Sequence, residues 1–349
     1  MTLSPSVLLI DPLYTPENLS TAAAVGCESV TVVWPASKAH LESMLAGASS
    51  SSLRVDVCEG YPPHEMPLLP IINHTPGVAA SEAARAAALA ECKEKIRWLG
   101  EAGVSVCCYN WMPTADWTRT RVDEKERGGS LVTAFVPGES AAAALAAMGL
   151  DQGAHRDGSD AVAACSAEQL WANLESFLRE VLPVCEASGV KLAMHPDDPP
   201  LPELNGRAQI MFDAEQLERC CRLVPSPYNG VAFCQGSLAA ADEALVPAIE
   251  RLAEHIHFVH FRDVVGSARE SGGFREAWTD TGKSDMAACM RAYLRVLGGR
   301  GVPIRPDHTP VLACETSPEH PAGEFPGYTV MGRLFAVGYI RGLIDAAQR

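Results

Sequence analysis

Eight short apolar runs, separated by helical stretches, restrict the fold of this chain more than any other feature of its sequence. Short runs that are nearly continuous in apolar residues are typical of strands buried on both faces of a parallel sheet. This alternation of strands and helices predicts an α/β fold, a (β/α)8 TIM barrel in which residues 1–349 form a single domain. An open, doubly wound sheet is the alternative. The predicted strands are Ser6–Ile10, Ser29–Val33, Leu53–Cys58, Val104–Tyr109, Val190–His195, Gly230–Cys234, Ile256–Phe261 and Val302–Arg305.

Capping residues and glycines mark the predicted helices between these strands. Ser166 followed by Gln169 forms a capping-box pattern, and Gly189 lies where the same helix should end. The predicted helices are Ser81–Leu99, Ser166–Ala187, Asp213–Leu223 and Asp285–Leu297.

Two connections are too long to be plain turns, namely Trp111–Asp160 after the fourth strand and Arg262–Lys283 after the seventh. Long segments that follow barrel strands usually form the mouth of the barrel or a lid over it. We therefore expect both segments to lie over a functional site.

Composition and charge narrow the function classes. A net charge of −15, spread along the chain, argues against nucleic acid and membranes as partners, although a metal ion and a few arginines still permit a small anionic substrate. The chain has 12 cysteines, but its length and the absence of a recognisable signal peptide favour reduced thiols and a cytoplasmic location. No stretch approaches the roughly twenty apolar residues of a membrane span.

Four consecutive predicted strands end in residue types that bind metal ions, namely His195, Cys234, His260 and Asp307. Taken singly, each has an ordinary interpretation, such as a buried cysteine or a helix-capping aspartate. Strand ends of a barrel converge in one mouth, however, so these side chains should meet in space. Two imidazoles, a thiolate and a carboxylate would suit a divalent ion, including Zn²⁺ or Fe²⁺.

Polar residues near the same strand ends are candidates for catalysis and substrate binding. His308 directly follows Asp307 and is a candidate acid or base. Tyr328 follows a turn and either folds back over the site or packs at the start of the last helix. The candidates for holding a polar, anionic substrate are Asn110, Arg119, Arg262 and Arg305.

Three further histidines lie in or next to the predicted strands, and one of them, His64, lies near the predicted mouth. His64 follows the third strand and is either a site residue or an ordinary loop residue. His255 and His257 have the opposite strand parity to His260, so we expect them to face away from it and to be structural.

Several segments, in family order from about residue 55 onward, resemble the mannonate dehydratase family. The most specific are the His-Pro-Asp-Asp-Pro-Pro sequence that begins at His195 and the Arg-Pro-Asp-His sequence that begins at Arg305. The segments are Val106–Pro113, Asp116–Thr120, Lys191–Pro200, Asn229–Ser237, Ile256–Arg262, Ile304–His308 and Pro326–Tyr328, with Val57–Glu65 matching more loosely.

This resemblance implies a barrel and a Mn²⁺-dependent lyase of hexuronate catabolism that converts D-mannonate to 2-keto-3-deoxy-D-gluconate. The family's metal ligands fall on His195, Cys234, His260 and Asp307. Its acid/base pair falls on His308 and Tyr328. A homodimer is the expected assembly.

The chain also departs from the family pattern around the mouth. Thr279 stands where the family usually has the histidine of a Phe-x-Glu-x-x-His sequence, and Thr309-Pro310 follows His308 where the family tends to glycine. Residues 1–50 lack the family's aromatic-rich opening. Two alternatives therefore stay open: another metal-dependent sugar or sugar-acid enzyme, such as an isomerase, or a non-catalytic relative that binds metal or ligand.

Overall fold

Eight parallel strands close into a barrel, which confirms the predicted fold and excludes the open sheet. In the order of their pairing, they are β1 (Ser4–Leu8), β2 (Ser29–Val33), β3 (Arg54–Glu59), β4 (Val106–Tyr109), β7 (Lys191–Met194), β10 (Asn229–Cys234), β11 (Ile256–His260) and β14 (Pro303–Arg305), which pairs with β1. This computed structural model describes residues 3–9, 13–60, 65–113, 117–147, 165–316 and 326–349.

The predicted strand bounds agree with the structure to within two residues at the described ends, and the first strand differs most. It begins at Ser4 rather than Ser6 because Ser4 already pairs with Pro303 of β14. The Ser4 hydroxyl accepts a hydrogen bond from Arg54 at 2.9 Å. The strand therefore begins at a polar residue, which a pattern of apolar residues does not indicate.

Helices surround the barrel, and all four predicted helices are confirmed. The Ser166 side chain accepts a hydrogen bond from the Gln169 N–H, and Gly189 ends the helix with φ of +72°, a conformation that favours glycine. No helix among the described residues is long and apolar enough to span a membrane. The helices are α1 (Pro16–Ala24), α2 (Lys38–Ser50), α3 (Leu69–Ile72), α4 (Ala79–Glu101), α5 (Ala142–Ala147), α6 (Ala167–Ser188), α7 (Ala214–Leu223), α8 (Gln235–Ala240), α9 (Leu245–Arg251), α10 (Met286–Leu297) and α11 (Val330–Ala347), with 3₁₀ turns at Arg127–Gly129, Ala253–His255 and Ala313–Glu315.

Strand alternation directs the candidate ligands toward the barrel axis. Ala193, Ala232 and Phe258 belong to one small, buried hydrophobic cluster contributed by neighbouring strands of the barrel. Each lies two residues before a candidate metal ligand, and residues two apart on a strand share a face. The ligands at the strand ends therefore continue the inward-facing rows into the mouth.

A second, antiparallel sheet is built from the two long connections, as expected of segments that cover the mouth. Its order is β12, β13, β6, β5, so strands from the two separate segments pair at its centre. We call it the lid sheet; its strands are β5 (Arg121–Lys125), β6 (Leu131–Phe135), β12 (Val264–Gly266) and β13 (Phe274–Glu276). A two-stranded hairpin is formed by β8 (Glu203–Leu204) and β9 (Arg207–Ala208).

Candidate metal centre and active site

The four residues predicted to bind a metal meet at one point in the barrel mouth. His195, Cys234, His260 and Asp307 are all buried, and their ligand atoms lie within 4.8 Å of one another. The Asp307 Oδ2 atom is 3.8 Å from the Cys234 Sγ atom and 3.6 Å from the His260 Nδ1 atom. The geometric condition for a shared metal site is therefore met.

The hydrogen bonding of the two imidazoles fits a role as metal ligands. Both ring nitrogens of His260 are buried, and Nε2 lies 3.3 Å from the Glu59 Oε1 atom and Nδ1 3.6 Å from the Asp307 Oδ2 atom; among the described residues, neither contact has the geometry of a hydrogen bond. Leaving such atoms unpaired is costly, on the order of 1–3 kcal/mol for each group, unless an ion takes them up. The His195 Nδ1 atom lies 2.6 Å from the Pro196 carbonyl oxygen, so Nδ1–H donates and Nε2 is left for a metal. Burial lowers the pKa of His195, which favours the neutral form that binds metals.

Asp307 completes this donor set as a carboxylate. Burial alone would raise its pKa, but the Arg305 guanidinium and the adjoining His308 and His260 imidazoles hold the pKa well below the usual range. The Asp307 Oδ1 atom accepts hydrogen bonds from Arg305 at 2.9 Å and from the Tyr328 hydroxyl at 3.0 Å. Two imidazoles, a thiol and a carboxylate fit a divalent first-row ion.

A second group of possible ligands overlaps the first. Glu59, Cys108 and His260 also lie close enough together to bind an ion. Both carboxylate oxygens of Glu59 already accept hydrogen bonds from Arg305, at 2.9 and 2.7 Å. The four-residue cluster therefore offers more ligands, and its carboxylate has one oxygen, Oδ2, outside the Arg305 and Tyr328 hydrogen bonds.

Both predicted catalytic residues line a cavity that is also lined by three of the four candidate ligands, His195, His260 and Asp307. This cavity has a volume of about 20 Å³, enough for one ion or one water molecule. The centroids of the His308 and Tyr328 rings are 5.1 Å apart, and the Trp117 ring lies 4.6 Å from the His308 ring. The lining residues are Glu59, Gly60, Asn110, Trp117, His195, Asp198, His260, Asp307, His308 and Tyr328.

Asn110 lines this cavity, whereas the three arginines proposed to hold substrate are absent from its lining and bind carboxylates of the protein. Arg119, Arg262 and Arg305 are each at most 1 % exposed. Arg305 binds Glu59 and Asp307, and the other two bind Asp198 and Glu276. Their guanidinium groups therefore neutralise buried acidic side chains, and their contact with substrate stays a prediction.

Four buried charges form what we call the quartet: Arg119, Arg262, Asp198 and Glu276. Arg119 donates to Asp198 at 2.8 and 2.9 Å and to Glu276 at 2.6 Å. Arg262 donates to Asp198 at 2.7 Å and to Glu276 at 2.9 Å. Burial by itself would raise the pKa of both carboxyls, but the two arginines lower them, so both acids are ionised and the quartet is neutral overall.

Sequence reasoning assigned no role to four residues of this site: Glu59, Trp117, Asp198 and Glu276. Glu59 is the last residue of β3, so the strand-end argument that found the metal ligands could have found it as well. Asp198 and Trp117 lie inside segments that resemble the family. Glu276 belongs to the lid sheet and is the glutamate of the Phe-x-Glu-x-x-His sequence that ends here in Thr279, so this motif could have pointed to it.

The other histidines are placed as follows. The His257 Nδ1 atom lies 2.7 Å from the Leu192 carbonyl oxygen, and His257 is outside the metal cluster, which agrees with the predicted parity. His64 lies outside the described residues. Thr279, at the position of the family's loop histidine, is buried.

Comparison with known proteins gives consistent results for sequence and structure. A family model described as D-mannonate dehydratase (UxuA) matches residues 27–349. The mannonate dehydratase of Oceanobacillus iheyensis is 30% identical over 343 residues, which cover 95% of this chain and 92% of that protein. The mannonate dehydratase of Thermotoga petrophila is 35% identical over 277 residues, or 74% of each chain. The crystal structure of mannonate dehydratase from Streptococcus suis serotype 2 superposes with a TM-score of 0.80 at 27% identity, covering 100% of this chain and 94% of that one.

Proposed function

The chain belongs to the D-mannonate dehydratase (UxuA) family, and on this premise we propose that it is a hydro-lyase that converts D-mannonate to 2-keto-3-deoxy-D-gluconate. One observation supports this most strongly: His195, His260 and Asp307 of the four-residue cluster line the same cavity as His308 and Tyr328. A metal site beside a candidate base and a candidate acid suits the loss of water from a hydroxy acid.

We propose that His195, Cys234, His260 and Asp307 hold one divalent ion. When bound, such an ion supplies Lewis-acid polarisation of substrate oxygens and so makes the proton at C2 more acidic. We propose Mn²⁺ on the basis of family membership, since the donor set also suits Fe²⁺ and Zn²⁺.

His308 and Tyr328 are the proposed base and acid. The His308 Nε2 atom lies 3.8 Å from the Asp307 Oδ2 atom, on the side of the cluster, where it can take the C2 proton. The electron pair of the broken C2–H bond forms the C2–C3 double bond as the C3–O bond breaks. The departing hydroxyl takes the Tyr328 proton and leaves as water, and the enol becomes the 2-keto acid.

Two cavity residues are suited to bind the polar groups of the substrate. Asn110 lines the cavity, as does Trp117, whose buried indole N–H has no hydrogen-bond partner among the described residues. We propose that both contact the sugar acid, while Arg119, Arg262 and Arg305 keep the surrounding carboxylates neutralised. The cytoplasmic location, the homodimer and the place in hexuronate catabolism stay predictions.

The direct test is keto-acid formation from D-mannonate by the metal-loaded protein, with metal content measured on the same sample. In the His308→Ala variant, turnover should fall by about 10²–10⁴-fold, the usual contribution of a general acid or base. Metal content should stay at the wild-type level because His308 is not a member of the cluster.

Three other results would change the assignment. Near-normal turnover of His308→Ala would exclude His308 as the base. A wild-type protein that binds metal and leaves D-mannonate unchanged would favour an isomerase or a non-catalytic relative. A protein that binds no divalent ion would exclude the proposed site.

A further inference from the structure

Glu276 connects the lid sheet to the candidate base. It is the last residue of β13 and is 1 % exposed. Its Oε1 atom lies 3.3 Å from the His308 Nδ1 atom and also accepts hydrogen bonds from Arg119 and Arg262. Its Oε2 atom is buried and makes no hydrogen bond within the described ranges. All described polar contacts of this carboxylate therefore meet at the oxygen that faces His308.

A neutral His308 ring carries one N–H proton, on either Nδ1 or Nε2, and these two nitrogens have different neighbours. Nδ1 lies 3.3 Å from the Glu276 Oε1 atom, whereas Nε2 lies on the side of the metal cluster, 3.8 Å from the Asp307 Oδ2 atom. An ionised carboxylate can only accept a hydrogen bond, so the closer contact, that with Glu276, favours a proton on Nδ1. The Nε2 lone pair then faces the cavity, as a base requires.

Among the residues that the structure describes, the one competing donor is Arg119, whose Nη2 atom is 3.4 Å from the His308 Nδ1 atom. That nitrogen carries two hydrogens, and both have closer acceptors: Asp198 Oδ2 at 2.9 Å and Glu276 Oε1 at 2.6 Å. No hydrogen of Arg119 Nη2 is left for His308, so the quartet leaves the carboxylate as the partner of Nδ1.

We propose that Glu276 is a positioning residue, which holds the His308 ring in the Nδ1–H tautomer with Nε2 directed at the substrate. The inference rests on the proposed function, in which His308 takes the C2 proton. The two arginines keep Glu276 ionised and fix its orientation, and Asp198 balances the second arginine charge. Substituting a carboxylate that orients a histidine in this way commonly lowers activity, although the carboxylate itself does not contact the substrate.

The first test compares Glu276→Gln with Glu126→Gln as a matched control. Glu126 is also a mostly buried carboxylate, and it pairs with Arg275, the neighbour of Glu276 on β13, without reaching His308. In Glu276→Gln we expect kcat to fall by about 10–100-fold, as for other histidine-orienting partners, while KM and metal content stay near the wild-type values. The control should keep wild-type kcat.

The second test reads the tautomer directly by NMR on metal-free protein with ¹⁵N-labelled histidine. The His308 signals are assigned from their loss in His308→Gln. We expect wild-type His308 to carry its proton on Nδ1, and Glu276→Gln to shift it toward Nε2, whereas Glu126→Gln should leave it unchanged. The wild-type spectrum decides even if Glu276→Gln does not fold.

The proposal is overturned if wild-type His308 carries its proton on Nε2, or if Glu276→Gln keeps both tautomer and kcat. It is also overturned if the variant loses metal or raises KM instead of lowering kcat, because Glu276 would then act on the ion or the substrate. If the wild type does not dehydrate D-mannonate, the proposed function fails while the NMR measurement still decides the role of Glu276.

Discussion

At the scale of single residues, two cysteines distinguish the two overlapping groups of possible metal ligands. Both groups include His260, but Cys234 belongs only to the four-residue cluster, and Cys108 belongs only to the group with Glu59. We expect Cys234→Ala to weaken metal binding by more than about tenfold, since loss of a ligand should exceed the effect of losing its supporting partners. Isothermal titration with Mn²⁺ and with Zn²⁺ measures this directly.

Cys108→Ala is the matched control, because it removes the same thiol from a neighbouring buried position. It should bind both ions with wild-type affinity. The reverse result, weak binding in Cys108→Ala and normal binding in Cys234→Ala, would move the ion to the group that contains Glu59.

His257 gives the molecule a pH dependence that is separate from catalysis. Burial lowers its pKa from 6.5 to about 4, while the unfolded chain keeps the ordinary value. The unfolded state therefore binds more protons between these values, and stability is lost as pH falls from 6.5 toward 4. At about 1.4 kcal/mol per pH unit, the loss from this one group is about 3 kcal/mol.

Urea unfolding of metal-free protein at pH 7 and pH 4 tests this contribution. The free energy of unfolding of His257→Gln should fall less between the two pH values than that of the wild type. His255→Gln, a half-buried neighbour, should fall as much as the wild type. An equal fall in the wild type and in His257→Gln would show that His257 is not the group responsible.

At the scale of elements, the barrel strands could be predicted from sequence and the lid strands could not. A strand such as β10 is buried along its whole length, so its six residues form an almost continuous apolar run. By contrast, β5 alternates between exposed and half-buried residues and has the sequence Arg-Val-Asp-Glu-Lys. Its pairing with β6 depends on tertiary context, which an apolar pattern does not record.

Gly236, the second residue of α8, lies so close to the Arg262 side chain that a larger residue would not fit there. A Cβ atom built on Gly236 would lie 2.3 Å from the Nε atom and 2.5 Å from the Cγ atom of Arg262. Since Arg262 is fixed by Asp198 and Glu276, it cannot move away cheaply. We expect Gly236→Ala to cost about 1–3 kcal/mol of unfolding free energy, as overpacked sites do, and to lower kcat by disturbing the quartet.

Gly338→Ala on α11 is the control for this substitution. Gly338 is exposed, and a Cβ there would meet none of the described atoms within 4 Å. It should therefore stabilise the protein by about 0.5–1 kcal/mol through helix propensity alone. Thermal unfolding and kcat are measured for both variants. If Gly236→Ala has the stability and kcat of Gly338→Ala, the proposed clash with Arg262 is wrong.

At the scale of the whole molecule, the metal cluster was predictable because the barrel repeats the same position. Each candidate ligand ends or closely follows a strand, so a repeated local signal locates residues that are distant in sequence. The quartet has no such repeat. Arg119 and Glu276 are 157 residues apart, and they meet only because β6 pairs with β13 in the lid sheet.

The prediction that residues 1–349 form a single domain requires the lid sheet and the barrel to unfold together. The strands of the lid sheet come from two segments, one inserted after β4 and one after β11, so neither segment can form the sheet alone. Leu131 of β6 bridges to Val311 beyond the last barrel strand. Arg119, just before β5, binds Asp198, and Glu276 of β13 binds Arg262, both at the barrel mouth. Displacing the lid would therefore remove one charged partner from each of Asp198 and Arg262 while these two side chains stay buried at the barrel mouth, which is unfavourable.

We therefore expect one cooperative thermal transition for lid and barrel. Near-ultraviolet circular dichroism, to which Trp117 and Trp278 of the lid region contribute, should change at the same temperature as the far-ultraviolet signal of the barrel helices. A ligand that binds only the folded state should raise both midpoints equally, so adding Mn²⁺ provides the control. If the tryptophan signal melts first, or if Mn²⁺ raises only the far-ultraviolet midpoint, the lid is a separate unit and the single-domain prediction is wrong.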